Sequence, residues 1–169
     1  MKKHCVHAYI GEGKGKSTAA AGLCLRARGA GMNVAVVQLL KHGSSENSIL
    51  EKLGVKLIAP VEDKFCWDMD ETERAQASKR IDEAIKRAKE LANEGYELIV
   101  FDEILGACEQ GLISQERLIE LTKLDAEVVF TGRRLPEALY PLCDYISEIL
   151  PIAHPYKDGG VGARRGIEY

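Results

Sequence analysis

The sequence predicts an α/β protein with a P-loop NTPase-like, mostly parallel sheet and helices on both faces. Three observations carry that expectation. A short β-type run, Val6 to Ile10, stops in Gly11-Glu12-Gly13-Lys14-Gly15-Lys16-Ser17 and leads into an alanine- and leucine-rich stretch of helical character. Further apolar runs suited to buried strands alternate with segments of helical period. Two of these runs end in Asp102-Glu103 and in Thr131-Gly132-Arg133. Alternating strands and helices imply right-handed crossovers and a parallel sheet, and ligands of such sheets gather at the carboxyl ends of the strands.

Taken in order, Val6 to Ile10 is the first strand and Thr18 to Arg28 the first helix, closed by Gly29 and Gly31. Asn33 to Leu40 is apolar throughout and reads as a strand buried on both faces. Val55 to Ala59 is a weaker third strand. The longest periodic segment begins at Asp70, with Glu73 three residues on as a capping box, and sets Ile81, Ala84, Ile85, Ala88, Leu91 and Ala92 on one face. Gly95 ends it, and Lys79, Arg80, Lys86, Arg87 and Lys89 make the other face a solvated one. Glu97 to Phe101 is a buried strand, Ser114 starts a helix, and Ala126 to Phe130 is the fifth strand. Leu135 to Leu142 reads as helical, and Tyr145 to Ile152 as a last strand.

The length of 169 residues suits one domain, expected to span 1–169. A formal net charge of -3 leaves no global positive field to attract nucleic acid or an anionic membrane, so phosphate binding must be local. The five cysteines form no C-x-x-C pair, which fits neither a disulfide framework nor a zinc site. They read as reduced thiols, with Cys24 and Cys143 in apolar helical stretches. The apolar run after Met1-Lys2-Lys3 stops at Gly11, unlike a signal peptide, and no stretch reaches the roughly 20 apolar residues of a membrane span. A cytoplasmic protein is expected.

Gly13-Lys14-Gly15-Lys16-Ser17 between strand and helix has what a polyphosphate requires. Glycines let backbone N–H groups face an anion, the helix presents its positive end, and Lys16 adds a mobile charge. Ser17 can offer a hydroxyl to magnesium. The spacing G-x-x-x-x-G-K-[ST] is not fully met, because Ile10 stands where the first glycine belongs. Asp102 and Glu103 complete such a site, where a carboxylate holds magnesium directly or through water. Thr122-Lys123-Leu124-Asp125 has the form of a guanine-reading motif but precedes a strand, and reads as a helix end.

Gly-Glu-Gly-Lys-Gly-Lys-Ser-Thr-Ala-Ala (11 to 20), Val-Val-Gln (36 to 38) with Lys41, Phe-Cys-Trp (65 to 67), Phe-Asp-Glu (101 to 103), Thr-Gly-Arg (131 to 133) and a His-Pro tail ending Gly-Ile-Glu-Tyr together resemble one family. This is the P-loop ATP:corrinoid adenosyltransferases, and the resemblance covers nearly the whole chain. It implies attack of a cobalt(I) corrinoid, cob(I)alamin or a precursor, on the ribose C5′ of ATP with loss of triphosphate, in adenosylcobalamin biosynthesis or salvage. The alternatives are a P-loop ATPase or kinase with another acceptor, and a non-catalytic member that binds ATP and corrinoid.

Carried over residue by residue, the resemblance gives Lys16, Glu103 and Arg133 the catalytic roles. Gly11, Glu12, Gly13, Lys14, Gly15, Lys16, Ser17, Thr18, Arg26 and Arg133 would contact ATP, while Ser17, Glu103 and Asp102 would serve Mg2+. Arg26 also reads as a helix surface charge. Phe65 and Trp67 would form an aromatic wall against the corrinoid and displace its lower cobalt ligand. A reductase supplying electrons to cobalt and a homodimer are implied as well. The chain departs from the family at Glu12, where an asparagine is frequent and an anion beside phosphate is unfavourable unless it points away. It also starts just before its first strand and differs in the tail Lys157 to Arg165. His154 matches a family position but equally fits a structural role.

Overall fold

The computed structural model describes residues 4–40, 44–60, 68–155 and 159–168. Twelve elements follow in chain order: β1 (Val6–Ile10), α1 (Lys16–Gly29), β2 (Val34–Gln38), α2 (Asn47–Lys52), β3 (Lys56–Ile58), α3 (Glu71–Asn93), β4 (Leu98–Asp102), α4 (Ile104–Glu109), α5 (Gln115–Leu121), β5 (Glu127–Thr131), a 3₁₀ turn (Glu137–Leu142) and β6 (Tyr145–Glu148). The strands form one six-stranded sheet in the order β3-β2-β4-β5-β1-β6, and every pairing is parallel. The α/β expectation holds, and the sheet is parallel throughout rather than mostly.

Period-two alternation gives the central strands two apolar faces. Val34 and Val36 of β2, Leu98 and Val100 of β4 and Val129 of β5 pack with Ala20, Cys24 and Ala27 of α1 and Leu50 of α2. Ala35, Val37, Ile99, Phe101, Val128 and Phe130 pack against α3, α4 and α5 on the opposite face. Both faces of the sheet are therefore covered, and the longest strands read as continuous apolar runs for that reason. The residues that α1 buries fully, Ala20, Cys24 and Ala27, are all small.

The α3 helix shows how far local chemistry reaches. Its N-cap Asp70 accepts a hydrogen bond from Glu73 N–H at 2.8 Å, and Asp70 N–H donates to Glu73 Oε2 at 2.9 Å. This capping box stabilises the start by about 1 kcal/mol. Ile81, Ala84, Ile85, Ala88, Leu91 and Ala92 are buried as their spacing predicts, and Gly95, at φ 90°, turns the chain out of the helix.

Several boundaries differ from the sequence expectation. The second strand is Val34–Gln38, because Leu40 has a left-handed backbone at φ 56°. Of the 135–142 segment only Glu137–Leu142 is helical, and it is a 3₁₀ turn with Pro141 inside it, since a proline lacks the N–H an α-helix needs. Cys143 follows it in an extended conformation and is not helical, although it packs against the core. The last strand stops at Glu148 rather than Ile152. Two six-residue helices, α2 and α4, were not anticipated, being too short for a periodic pattern to register.

Candidate functional site

The chemistry-bearing residues gather at the carboxyl end of the sheet, as the topology requires. The β1 strand ends in the glycine loop and β4 in Asp102-Glu103, while β5, ending in Thr131, runs between them. The alternation that buries Val36, Val100 and Val129 on the α1 face also turns Gln38, Asp102 and Thr131 toward the start of α1, where Ser17 stands. Gln38 and Asp102 are register partners across β2 and β4.

The loop glycines answer to packing as well as to anion geometry. Gly11 has φ 108° and Gly15 φ 120°, which L side chains rarely adopt. A Cβ on Gly11 would fall 2.4 Å from the backbone oxygen of Ile149, and one on Gly13 would fall 2.6 Å from it. Two loop amides are already engaged: Gly11 N–H donates to Arg133 O at 2.9 Å and Gly13 N–H to Ile149 O at 2.8 Å. These bonds hold the loop to the ends of β5 and β6. Of the segment read as presenting N–H groups to an anion, Gly13 thus has its amide on the backbone of Ile149. Within the loop, Lys16 Nζ donates to Gly11 O at 2.7 Å and to Gly13 O at 2.9 Å, so its charge already lies over the loop.

At the tip of β4, Asp102 is buried, with only 3% of its surface exposed, and Thr131 is fully buried. The Thr131 hydroxyl donates to Asp102 Oδ1 at 2.7 Å and accepts the Glu103 backbone N–H at 2.7 Å. Glu103 itself sits in the left-handed region at φ 62° as the N-cap of α4. Such a conformation for a non-glycine residue costs about 1–3 kcal/mol and persists where the surroundings over-determine it. Gly132 lets α4 approach, since a Cβ there would lie 2.5 Å from Leu105 Cβ.

Two arginines take different places. Arg133 Nε lies 3.7 Å from Glu12 Oε2, and both side chains are more than half exposed. The anion that looked unfavourable in the loop thus has a cation beside it. Arg26 is exposed on α1 and lies near Tyr9, whose hydroxyl pKa is raised by burial and by Cys24 and lowered by Arg26. Burial pushes the Cys24 thiol up to about 12, with the Asp102 charge adding to the shift. That thiol is a neutral core group, as its apolar setting suggests.

The donor set fits magnesium. Ser17 and the acids at 102 and 103 carry oxygen donors of the hard kind, and no group of three His, Cys, Asp or Glu able to hold a metal occurs among the described residues. Magnesium suits such a site because it keeps waters and shares phosphate oxygens instead of requiring an all-protein cage.

The structure brings Gly11, Glu12, Gly13, Lys14, Gly15, Lys16, Ser17, Thr18, Asp102, Glu103 and Arg133 to one end of the sheet, with Arg26 further along α1. Phe65 and Trp67, like Lys41, lie outside the described residues. Sequence reasoning gave Thr131 and Gln38 no role, although a polar residue closing an apolar strand beside a phosphate loop is a usable signal for both. Asn47 offered none, lying in a short polar segment without periodicity. Among the described residues no helix is long and apolar enough to cross a membrane.

Comparison with known proteins agrees with this geometry. A family described as ATP:corrinoid adenosyltransferase BtuR/CobO/CobP matches residues 2–169. The corrinoid adenosyltransferase of Escherichia coli K12 is 32% identical over 167 residues, 95% of this chain and 83% of the relative. The corrinoid adenosyltransferase CobA of Salmonella typhimurium LT2 is 33% identical over 170 residues, again 95% and 83% of the two chains. That of Pseudomonas aeruginosa is 31% identical over 168 residues, 95% and 81%. A match across essentially the whole chain, together with a phosphate loop facing an acid-tipped strand, means that this protein belongs to the ATP:corrinoid adenosyltransferase family.

Proposed function

We propose that this chain, working as one unit over residues 1–169, transfers the 5′-adenosyl group of ATP to the cobalt(I) of a corrinoid and releases triphosphate. The observation that carries the reading is the gathering of Lys16, Ser17, Asp102 and Arg133 at one end of the sheet in a chain matched throughout by this family.

Substitution at C5′ forms a cobalt–carbon bond and breaks the bond from C5′ to the triphosphate oxygen, so negative charge grows on the leaving group. Lys16, at the mouth of the loop, and Arg133 are the cations suited to stabilise that charge, a contribution that grows toward the transition state. A magnesium ion bound through Ser17 and Glu103 would supply further charge neutralisation. In this reading Asp102, whose Oδ1 accepts from Thr131, would meet that ion through water. Lys14, Thr18 and Arg26 complete the nucleotide contacts in this reading. Phe65 and Trp67 serve as the corrinoid wall, a reductase supplies the electron to cobalt, and the enzyme works in the cytoplasm as a homodimer.

The test is to incubate the protein with ATP, magnesium and chemically reduced corrinoid and to identify the phosphate product. Inorganic triphosphate together with an adenosylated cobalt spectrum is expected. ADP or orthophosphate as the product would assign the site to phosphoryl transfer instead.

A further inference from the structure

Among the described residues, one buried side-chain polar atom has no hydrogen-bond partner. Oδ1 of Asn47, the first residue of α2, is buried without a hydrogen bond. The rest of that amide is engaged: Nδ2 donates to Gln38 Oε1 at 2.8 Å, and Gln38 Nε2 donates to Ser44 Oγ at 2.9 Å. Gln38 is buried and anchored in β2, so this chain of amides is held in place by the sheet.

Asn47 lines a cavity of about 10 Å³ together with Ser17, Gln38, Glu46 and Asp102. A space of that size holds about one water molecule. Its polar lining is rich in acceptors: two carboxylates, a hydroxyl oxygen and the unpartnered amide oxygen. Buried acceptors demand donors, and leaving one unmet is destabilising. A water polarised by a divalent cation presents its hydrogens outward and answers that demand better than an anion or an apolar group.

We infer that Asn47, oriented by Gln38, is a positioning residue whose Oδ1 accepts a hydrogen bond from a water of the magnesium shell at Ser17 and Asp102. The inference rests on the phosphate-loop reading proposed above. It assigns the short α2 segment to the nucleotide site, where the carboxamide fixes the water and, through it, the cation that meets the triphosphate.

The experiment measures ATP binding by calorimetry with and without magnesium, and the affinity for Mn2+ by electron paramagnetic resonance, in Asn47→Leu and Asn47→Asp. Asn47→Leu is expected to weaken metal-dependent binding about tenfold, in the range seen when groups that orient metal ligands are removed. Metal-free ATP affinity and the melting temperature should stay near native, and Asn47→Asp, which keeps an acceptor, should recover most of the loss. If Asn47→Leu fails to fold, Asn47→Ser gives the same readouts. Unchanged Mn2+ affinity overturns the inference, and so does a loss of ATP affinity that is equal with and without metal. Native protein that binds ATP with no gain from magnesium overturns this inference alone. Native protein that binds no ATP overturns the phosphate-loop reading beneath it as well.

Discussion

Thr131 holds Asp102 by a 2.7 Å hydrogen bond between two side chains that are almost completely buried. Because the same hydroxyl accepts the Glu103 amide, a single side chain from β5 meets both Asp102, the last residue of β4, and Glu103 just after it. Replacing it with valine would keep the shape and remove the donor. Thr131→Val should destabilise the fold by about 1.5–3 kcal/mol, the value of a hydrogen bond to a charged group. It should also lower adenosyl transfer more than it lowers ATP affinity, while Thr131→Ser retains most of both. Equal stability of Thr131→Val and native protein in urea would show that the bond is not stabilising.

Lys16→Ala tests the loop itself. The ammonium donates to Gly11 O and Gly13 O, and a phosphate-bearing ligand would compete with those carbonyls for it. A charge-assisted contact to phosphate is worth roughly ten- to a hundredfold in affinity, and that loss is expected in calorimetry with little change in melting temperature. Native ATP affinity in this variant would remove the lysine from the site.

Glu12 and Arg133 form an exposed pair at 3.7 Å, and such pairs contribute about 0–1 kcal/mol to stability. Glu12→Ala should therefore leave the melting temperature nearly unchanged. It should tighten ATP binding, because it removes an anion and frees the arginine, and the gain should shrink as salt rises. Arg133→Ala should weaken binding. ATP affinity untouched by either change would place the pair outside the nucleotide site.

Cys24 bears on pH. Its thiol is pushed from 9.0 to about 12 in the folded protein, first by burial and then by the Asp102 charge. Below pH 9 the thiol is protonated both folded and unfolded, so its contribution to stability is fully present there. Between pH 9 and about 12 the unfolded chain releases the proton and the folded one keeps it, so stability falls as pH rises through that window. Cys24→Ser should flatten this part of the pH dependence, as read by chemical denaturation. Alkylation of native protein at pH 8, followed by mass spectrometry, should leave Cys24 unmodified.

Much of the architecture was legible because the signals are local. The apolar run Glu97 to Phe101, the capping box at Asp70 and the glycine loop each declare themselves within a few residues. Steric and hydrogen-bonding rules acting over one turn or one strand are enough to produce them. The residues proposed for the site, Lys16, Ser17, Asp102 and Glu103, lie in motifs whose chemistry follows from residue type and spacing.

Other features belong to the third dimension. The order that inserts β5 between β1 and β4 is not written in any one segment, yet it brings Thr131 onto Asp102 across 29 positions of chain. Gly11 and Gly13 look like phosphate glycines in the sequence, but the backbone of Ile149 also forbids them a side chain. The short helices α2 and α4 have no periodic signature and exist because tertiary contacts hold them. The sequence by itself determined the strands, the long helices and the glycine loop between β1 and α1, since those depend on neighbours in the chain. Which side chains orient the acids, and which cation offsets Glu12, was decided only when hydrophobic burial on both faces of the sheet brought distant strand ends together.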